Sequence, residues 1–160
     1  MLKDWLPFQN KNNIKCKLIY DSQIDGDNAS TFHSLCKYKK GTLTVISTSD
    51  NKKIGGFISL PLKIRDCFCI NDKNAFLFSF NSNEKFKSLN NYSCRNIDSE
   101  GPHFGFNGEN HNISIKDNYL TSNENYYSYL GKSYDFGKRK KDKEKHFFKV
   151  INLEIFQIYE

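Results

Sequence analysis

No stretch of this 160-residue sequence is apolar for long enough to cross a membrane. The first residues, Met1-Leu2-Lys3-Asp4-Trp5-Leu6-Pro7, lack the apolar run of a secretory leader, which predicts a chain without a signal. No two cysteines stand in the Cys-x-x-Cys spacing that lets both sulfurs face one metal or one redox partner. There is no serine elbow and no cysteine-protease signature. Residues Gly105-Phe106-Asn107-Gly108 lack the lysine of a phosphate loop. No internal repeat and no change of composition divides the chain, so a single domain over 1–160 is expected. The five cysteines, Cys16, Cys36, Cys67, Cys69 and Cys94, are odd in number. Free thiols in a reducing, cytoplasmic setting are the simplest account.

What the sequence has in quantity is aromatic residues. Fourteen Phe and nine Tyr, with aromatics at 15%, argue against disorder despite a polar average. A chain of this size buries roughly two-thirds of its unfolded surface, enough for a core without staples. The net charge of +6 favours attraction to acidic surfaces without specifying nucleic acid. The richness in Asn and Lys reads as a bias of genome composition.

The patterning is that of strands. Residues 14–20 alternate, with Ile14, Cys16, Leu18 and Tyr20 on one side and Lys15, Lys17 and Ile19 on the other. Residues 42–48 are rich in β-branched side chains, and 54–60 run through Gly55-Gly56, so the two read as a hairpin with a bulge or a close approach at the glycines. Residues 75–80 are almost wholly apolar and read as a central strand buried on both faces, and 92–97 as a shorter strand. Residues 147–159 form a long strand without clean alternation. Ile151, Leu153 and Ile155 share one face while Phe156 and Ile158 take the other, which calls for burial on both faces or a bulge.

Between these strands, Leu2, Trp5, Leu6 and Phe8 suit a short apolar turn of helix stopped by Pro7. A second helix is expected after a cap at Asp27 or Asn28, with Phe32, Leu35 and Cys36 inward and His33 exposed. Residues 101–115 concentrate glycines, histidines and two phenylalanines, and read as a strand-loop-strand corner in which Phe104 and Phe106 point the same way. Residues 21–28, 81–91 and 117–129 read as polar connections, and 62–74 as irregular. The sum is a mainly β fold: a two-layer antiparallel β-sandwich with one or two short flanking helices.

Chemistry-bearing residues are scattered. Cys67-Phe68-Cys69 places one residue between its sulfurs, a poor ligand spacing. Cys36 or Cys94 could meet His103 in space, but no local motif points to it, and His103 reads as a packed histidine. His111 and His146 have no partner motif, and Glu100, Glu109 and Glu124 fall in loops without acid–base pairing. The strongest charge feature is Lys138, Arg139, Lys140, Lys141, Lys143 and Lys145, broken by Asp142 and Glu144. It is the candidate interaction surface, against the plainer reading of a solvated loop. It lacks the aromatic interleaving of a nucleic-acid site, so nucleic acid is an unlikely partner.

The order of landmarks resembles the TLDc domain family (TBC/LysM-associated domain), as in the oxidation resistance proteins. The matching segments include Leu18-Ile19-Tyr20, Asp25-Gly26, Ala29-Ser30-Thr31-Phe32-His33, Thr42-Leu43-Thr44-Val45-Ile46 and Gly55-Gly56-Phe57. They continue with Asn74-Ala75-Phe76-Leu77-Phe78-Ser79, Gly101-Pro102-His103-Phe104-Gly105, Ile113-Ser114-Ile115, Leu130-Gly131-Lys132-Ser133-Tyr134 and Leu153-Glu154-Ile155-Phe156. Asp27 departs from the pattern, where an aromatic commonly follows Asp-Gly, Phe106 and Asn107 interrupt the family's glycine run, and Ser59-Leu60-Pro61-Leu62 lacks the aromatic often found just after the Gly-Gly strand. The resemblance implies a sandwich of two antiparallel sheets, no cofactor, and no established catalytic residue. It further implies a non-enzymatic regulator that binds the vacuolar proton-pumping ATPase (V-ATPase) and promotes its disassembly or inhibition, with oxidative stress resistance as an outcome. Such a chain would be cytoplasmic, or peripheral to vacuolar or endosomal membranes through a protein partner. The alternative is a scaffold subunit of a larger assembly, for example a cytoskeletal one. A thiol-based antioxidant enzyme would need an exposed cysteine of lowered pKa.

Overall fold

The computed structural model describes residues 2–62 and 68–160. Two antiparallel sheets are stacked, as the patterning predicts. The first is built from β1 (Lys15–Asp21), β2 (Thr42–Thr48), β3 (Lys53–Ile58), β5 (Phe76–Ser79), β6 (Glu84–Lys87) and β12 (Val150–Tyr159), in the order β1-β12-β2-β3-β5-β6. The second contains β4 (Phe68–Ile70), β7 (Cys94–Asn96), β8 (His103–Phe104), β9 (Ile113–Ser114), β10 (Tyr126–Ser128) and β11 (Lys145–Phe147), in the order β11-β10-β9-β8-β7-β4. Helices are short: α1 (Leu2–Trp5), α2 (Ser22–Asp25), α3 (Ala29–Cys36) and a 3-10 helix, Gly137–Lys141.

Alternation decides which side chains fill which layer. Ile46, Leu77, Leu153 and Ile155 of the first sheet meet Ile70, Phe104 and Ile113 of the second in the main core. Leu43, Val45, Phe57, Phe76 and Phe78 point out of the opposite face of the first sheet. That face is covered by the N-terminal segment, which lays Trp5, Leu6 and Phe8 across it. The first sheet is therefore apolar on both sides, and β5 is the doubly buried strand expected of residues 75–80. Lys85 Nζ donates to the Trp5 carbonyl at 2.6 Å, and Asn10 N donates to Glu160 Oε1 at 2.8 Å, fastening the segment at two places.

Several local expectations need correction. In β1 the register slips between Leu18 and Tyr20, so Tyr20 turns into the main core while Cys16 and Leu18, on the other side, stay exposed. A second slip between Val150 and Asn152 separates exposed Ile151 from buried Leu153 and Ile155, which were expected to share its face. In α3, capped by Asn28, Phe32 and Cys36 are buried but Leu35 is exposed, because two turns of helix offer only a narrow inward stripe. Of the two readings of Gly55-Gly56, the bulge is absent, since the β2–β3 register is continuous, and the close approach is present, with the Thr44 carbonyl beside Gly55 and the Phe104 ring against Gly56. Phe104 and Phe106 diverge, because Gly105 between them takes φ 68°. Phe104 enters the core, while Phe106 folds over Arg95 and His111. Strands β4, β6 and β10 and helix α2 lie within segments read as connections.

Two of the departures from the family pattern have structural uses. Asp27 accepts from Leu120 N at 3.2 Å and holds the 117–129 segment. Asn107 Oδ1 accepts from the backbone N–H groups of Glu109 and Asn110, closing the loop between β8 and β9.

Candidate interaction surface

The basic run is held by the residues just before it. Tyr134 and Phe136 are buried, and the Tyr134 hydroxyl donates to the Ser93 carbonyl. The chain then emerges through Gly137 into the 3-10 helix. Among the six candidate residues, three are tied down. Arg139 makes a two-pronged contact with Glu84, Nε to Oε1 and Nη2 to Oε2, both at 3.2 Å. Its guanidinium also lies 5.9 Å from the Tyr129 ring centre. Lys140 stands 3.9 Å from Asp135, a loose pair, and Lys145 Nζ sits 4.7 Å above the Tyr126 ring. Among the described residues, Lys138, Lys141 and Lys143 have no ion-pair partner and are exposed.

The helix stands at the mouth of a cleft of about 360 Å³ where the two sheets part. Ile54, Leu77, Phe86, Ile113 and Phe136 supply its apolar walls, and Lys52, Glu84, Tyr127 and Arg139 its polar edge. The rings of Phe86, Tyr129 and Phe136 contact one another at 5.2–5.9 Å between centres. The Ser82 hydroxyl and then Arg139 hold Glu84 below the usual carboxylate range, and Arg139 is raised in turn by Glu84. Burial pushes the Tyr129 phenol up. Across the mouth, Lys52 pairs with Asp50 at 2.8 Å and reaches the Tyr127 hydroxyl at 3.5 Å. His146 stacks on Tyr127 and contacts Asp142 at 2.6 Å. No pattern in the sequence marks the cleft. Its walls come from five separate stretches of chain, and no local pattern links them.

The other candidate residues sit elsewhere. His33 is half-buried rather than exposed, its Nε2 lying 2.8 Å from the Ile97 carbonyl and 2.9 Å from that of Glu100. His103 is packed, as expected, with no exposed surface. Its Nε2 is 2.6 Å from Glu100 Oε2, a close electrostatic contact with the oxygen off the ring N–H line. Lys116 completes this group at 3.0 Å from Glu100, whose pKa falls to about 2, led by His103. His111 lies against His103 with ring centres 4.3 Å apart, and burial lowers its pKa to about 3. Cys94 pairs across the ladder with Phe104 and faces the core, whereas His103 pairs with Arg95 on the opposite face. Those two side chains are therefore not brought together.

Burial pushes the thiols of Cys36 and Cys94 up to about 12 and raises that of exposed Cys16. Cys67 lies outside the described residues. Glu109 and Glu124 are exposed. Among the described residues no three His, Cys, Asp or Glu side chains gather as metal ligands, and no helix is long and apolar enough to cross a membrane.

A protein-family model described as the TLDc domain matches residues 1–159. No curated protein matches the chain.

Proposed function

Because the chain belongs to the TLDc domain family, we propose that this protein-interaction domain is a non-enzymatic regulator of the vacuolar proton-pumping ATPase. It would bind the pump from the cytoplasmic side, promote disassembly or inhibition, and thereby contribute to oxidative stress resistance. The observation that carries the reading is the family match along essentially the whole chain. The placement of side chains is compatible with it. Burial pushes the thiols of Cys36 and Cys94 away from reactivity, while a set of cations stands exposed on the 3-10 helix and the residues after it.

Mechanistically, the domain inserts between the soluble sector of the pump and its stalk. Binding can shift that equilibrium only if the separated state is bound more tightly than the assembled one. The exposed lysines add long-range attraction to an acidic partner, chiefly through the association rate.

The test is capture of pump subunits by the purified chain, together with the ATPase activity of the pump. Salt-sensitive capture and a fall in activity are expected. Unchanged activity at saturating protein removes the reading. Cofractionation with a large cytoskeletal complex, and not with the pump, replaces it with the scaffold role.

A further inference from the structure

We infer that the cleft beside the 3-10 helix docks an acidic protein segment bearing one apolar anchor side chain. The anchor enters between the sheets, and the flanking carboxylates meet Lys138, Lys141 and Lys143. This rests on the interaction-domain reading and specifies the chemistry of the partner.

The cleft has the anatomy of an anchor site. Its walls are Ile54, Leu77, Phe86, Ile113 and Phe136, and about 360 Å³ of space accepts one large side chain with room at the mouth. Apolar pockets ringed by polar groups are where a few residues of a partner concentrate their binding energy.

The 3-10 helix is part of that pocket. Phe136 just before it forms a wall, and Arg139 within it forms the edge. The two-pronged contact of Arg139 with Glu84 ties the helix to β6, so the basic side chains are presented from a fixed backbone. A surface already ordered loses less freedom on binding.

The charge of the occupant follows from which groups are already used. Glu84 is taken by Arg139, Asp50 by Lys52, and Asp142 by His146 and the Glu144 N–H. Lys138, Lys141 and Lys143 are left without an acid among the described residues. At the opening itself Lys52 and Arg139 are already balanced by Asp50 and Glu84, so the excess positive charge beside it is that of Lys138, Lys141 and Lys143. A polynucleotide is disfavoured, because the rings of Phe86 and Phe136 are buried walls rather than exposed stacking faces between the cations.

The probe is a short fluorescein-labelled peptide of aspartates and glutamates with one central phenylalanine, measured by anisotropy on the full chain. Saturable binding that weakens as salt rises is expected. Replacing the phenylalanine by alanine is expected to weaken binding at least about tenfold. The pair Lys138→Glu and Lys141→Glu, on exposed positions that leave the melting curve unchanged, is expected to do the same. Ser79→Leu, which adds bulk at the cleft wall, removes the advantage of the phenylalanine peptide over its alanine form while keeping the salt dependence.

The docking site is overturned if the alanine peptide binds as tightly as the phenylalanine peptide. It is equally overturned if the charge reversals leave binding intact, or if a single-stranded oligonucleotide of equal charge binds better. Should the chain still capture and inhibit the pump while the peptide fails, the docking chemistry falls and the pump reading stands. Peptide binding with an unaffected pump does the reverse.

Discussion

Gly56 shows how one missing side chain lets two sheets meet. A Cβ there would lie 2.5 Å from the Phe104 ring, which is itself buried and confined. Gly56→Ala should destabilise the fold by about 1–3 kcal/mol, the range for overpacking a filled core. Denaturant unfolding measures it, and Phe104→Leu added to Gly56→Ala should recover part of the loss. At Gly105 the backbone itself needs glycine, since φ is 68° and an added Cβ would fall on the Asn112 amide oxygen.

The buried histidines set a pH dependence with a definite sign. His111 and His103 both have folded pKa values lowered by burial, His111 to about 3. The unfolded chain therefore binds more protons below the ordinary value of 6.5. The contribution of His111 is whole above 6.5 and declines as pH falls toward 3, by at most about 1.4 kcal/mol per pH unit, and that of His103 declines in the same direction below 6.5. Glu100, lowered to about 2 from 4.5, adds a loss of the same direction only below 4.5. Melting curves between pH 7 and 5 should thus report the histidines alone, and His111→Phe should flatten them.

Thiol chemistry gives a further residue-level expectation. Cys36 and Cys94 should resist alkylation in the folded chain while Cys16 is modified, as mass spectrometry would show.

Among elements, the N-terminal segment does more than its length suggests. Leu6 is buried against Leu43, Phe57 and Phe76, and Trp5 stacks on Phe80. Leu6→Ala should cost about 2–4 kcal/mol, as for a buried leucine whose cavity does not collapse. Equilibrium unfolding tests this, and a cost below about 1 kcal/mol would mean that the segment covers its sheet only loosely.

Which elements could be read in advance depended on how many of their residues are buried. β2, β3 and β5 are buried along nearly their whole length, so β-branched and aromatic runs announce them. β6 buries only Phe86 among Glu84, Lys85 and Lys87, and looks like a polar connection. β10 is a three-residue strand inside a polar, tyrosine-rich stretch. The irregularities of β1 and β12 break the alternation that assigns faces, so the pattern marks the strands but puts Leu18 and Ile151 on the wrong side. Of the candidate site, the charged half was visible as six basic residues near one another in sequence. The cleft beside them is assembled by topology from distant segments and left no such trace.

For the whole molecule, the division between a packed interior and an exposed basic corner predicts that binding and stability can be varied separately. Reversing Lys138, Lys141 and Lys143 should leave unfolding free energy within about 0.5 kcal/mol of the parent, as at exposed positions without partners. The same change should weaken salt-sensitive capture of the pump. A matching loss of stability would show that these lysines hold the fold together after all.

The first sheet has further consequences because it carries an apolar layer on each face. Leu6 and Phe76 occupy the outer layer, Leu77 and Ile113 the inner one, and only peptide backbone lies between. Damage to the two layers should therefore sum: Leu6→Ala combined with Ile113→Ala should cost what the separate changes cost, within a few tenths of a kcal/mol. Two truncations within one layer, Leu6→Ala with Phe76→Leu, should not, since they enlarge a common void. The sheet behaves as a party wall, with two rooms that share its masonry and not its furniture.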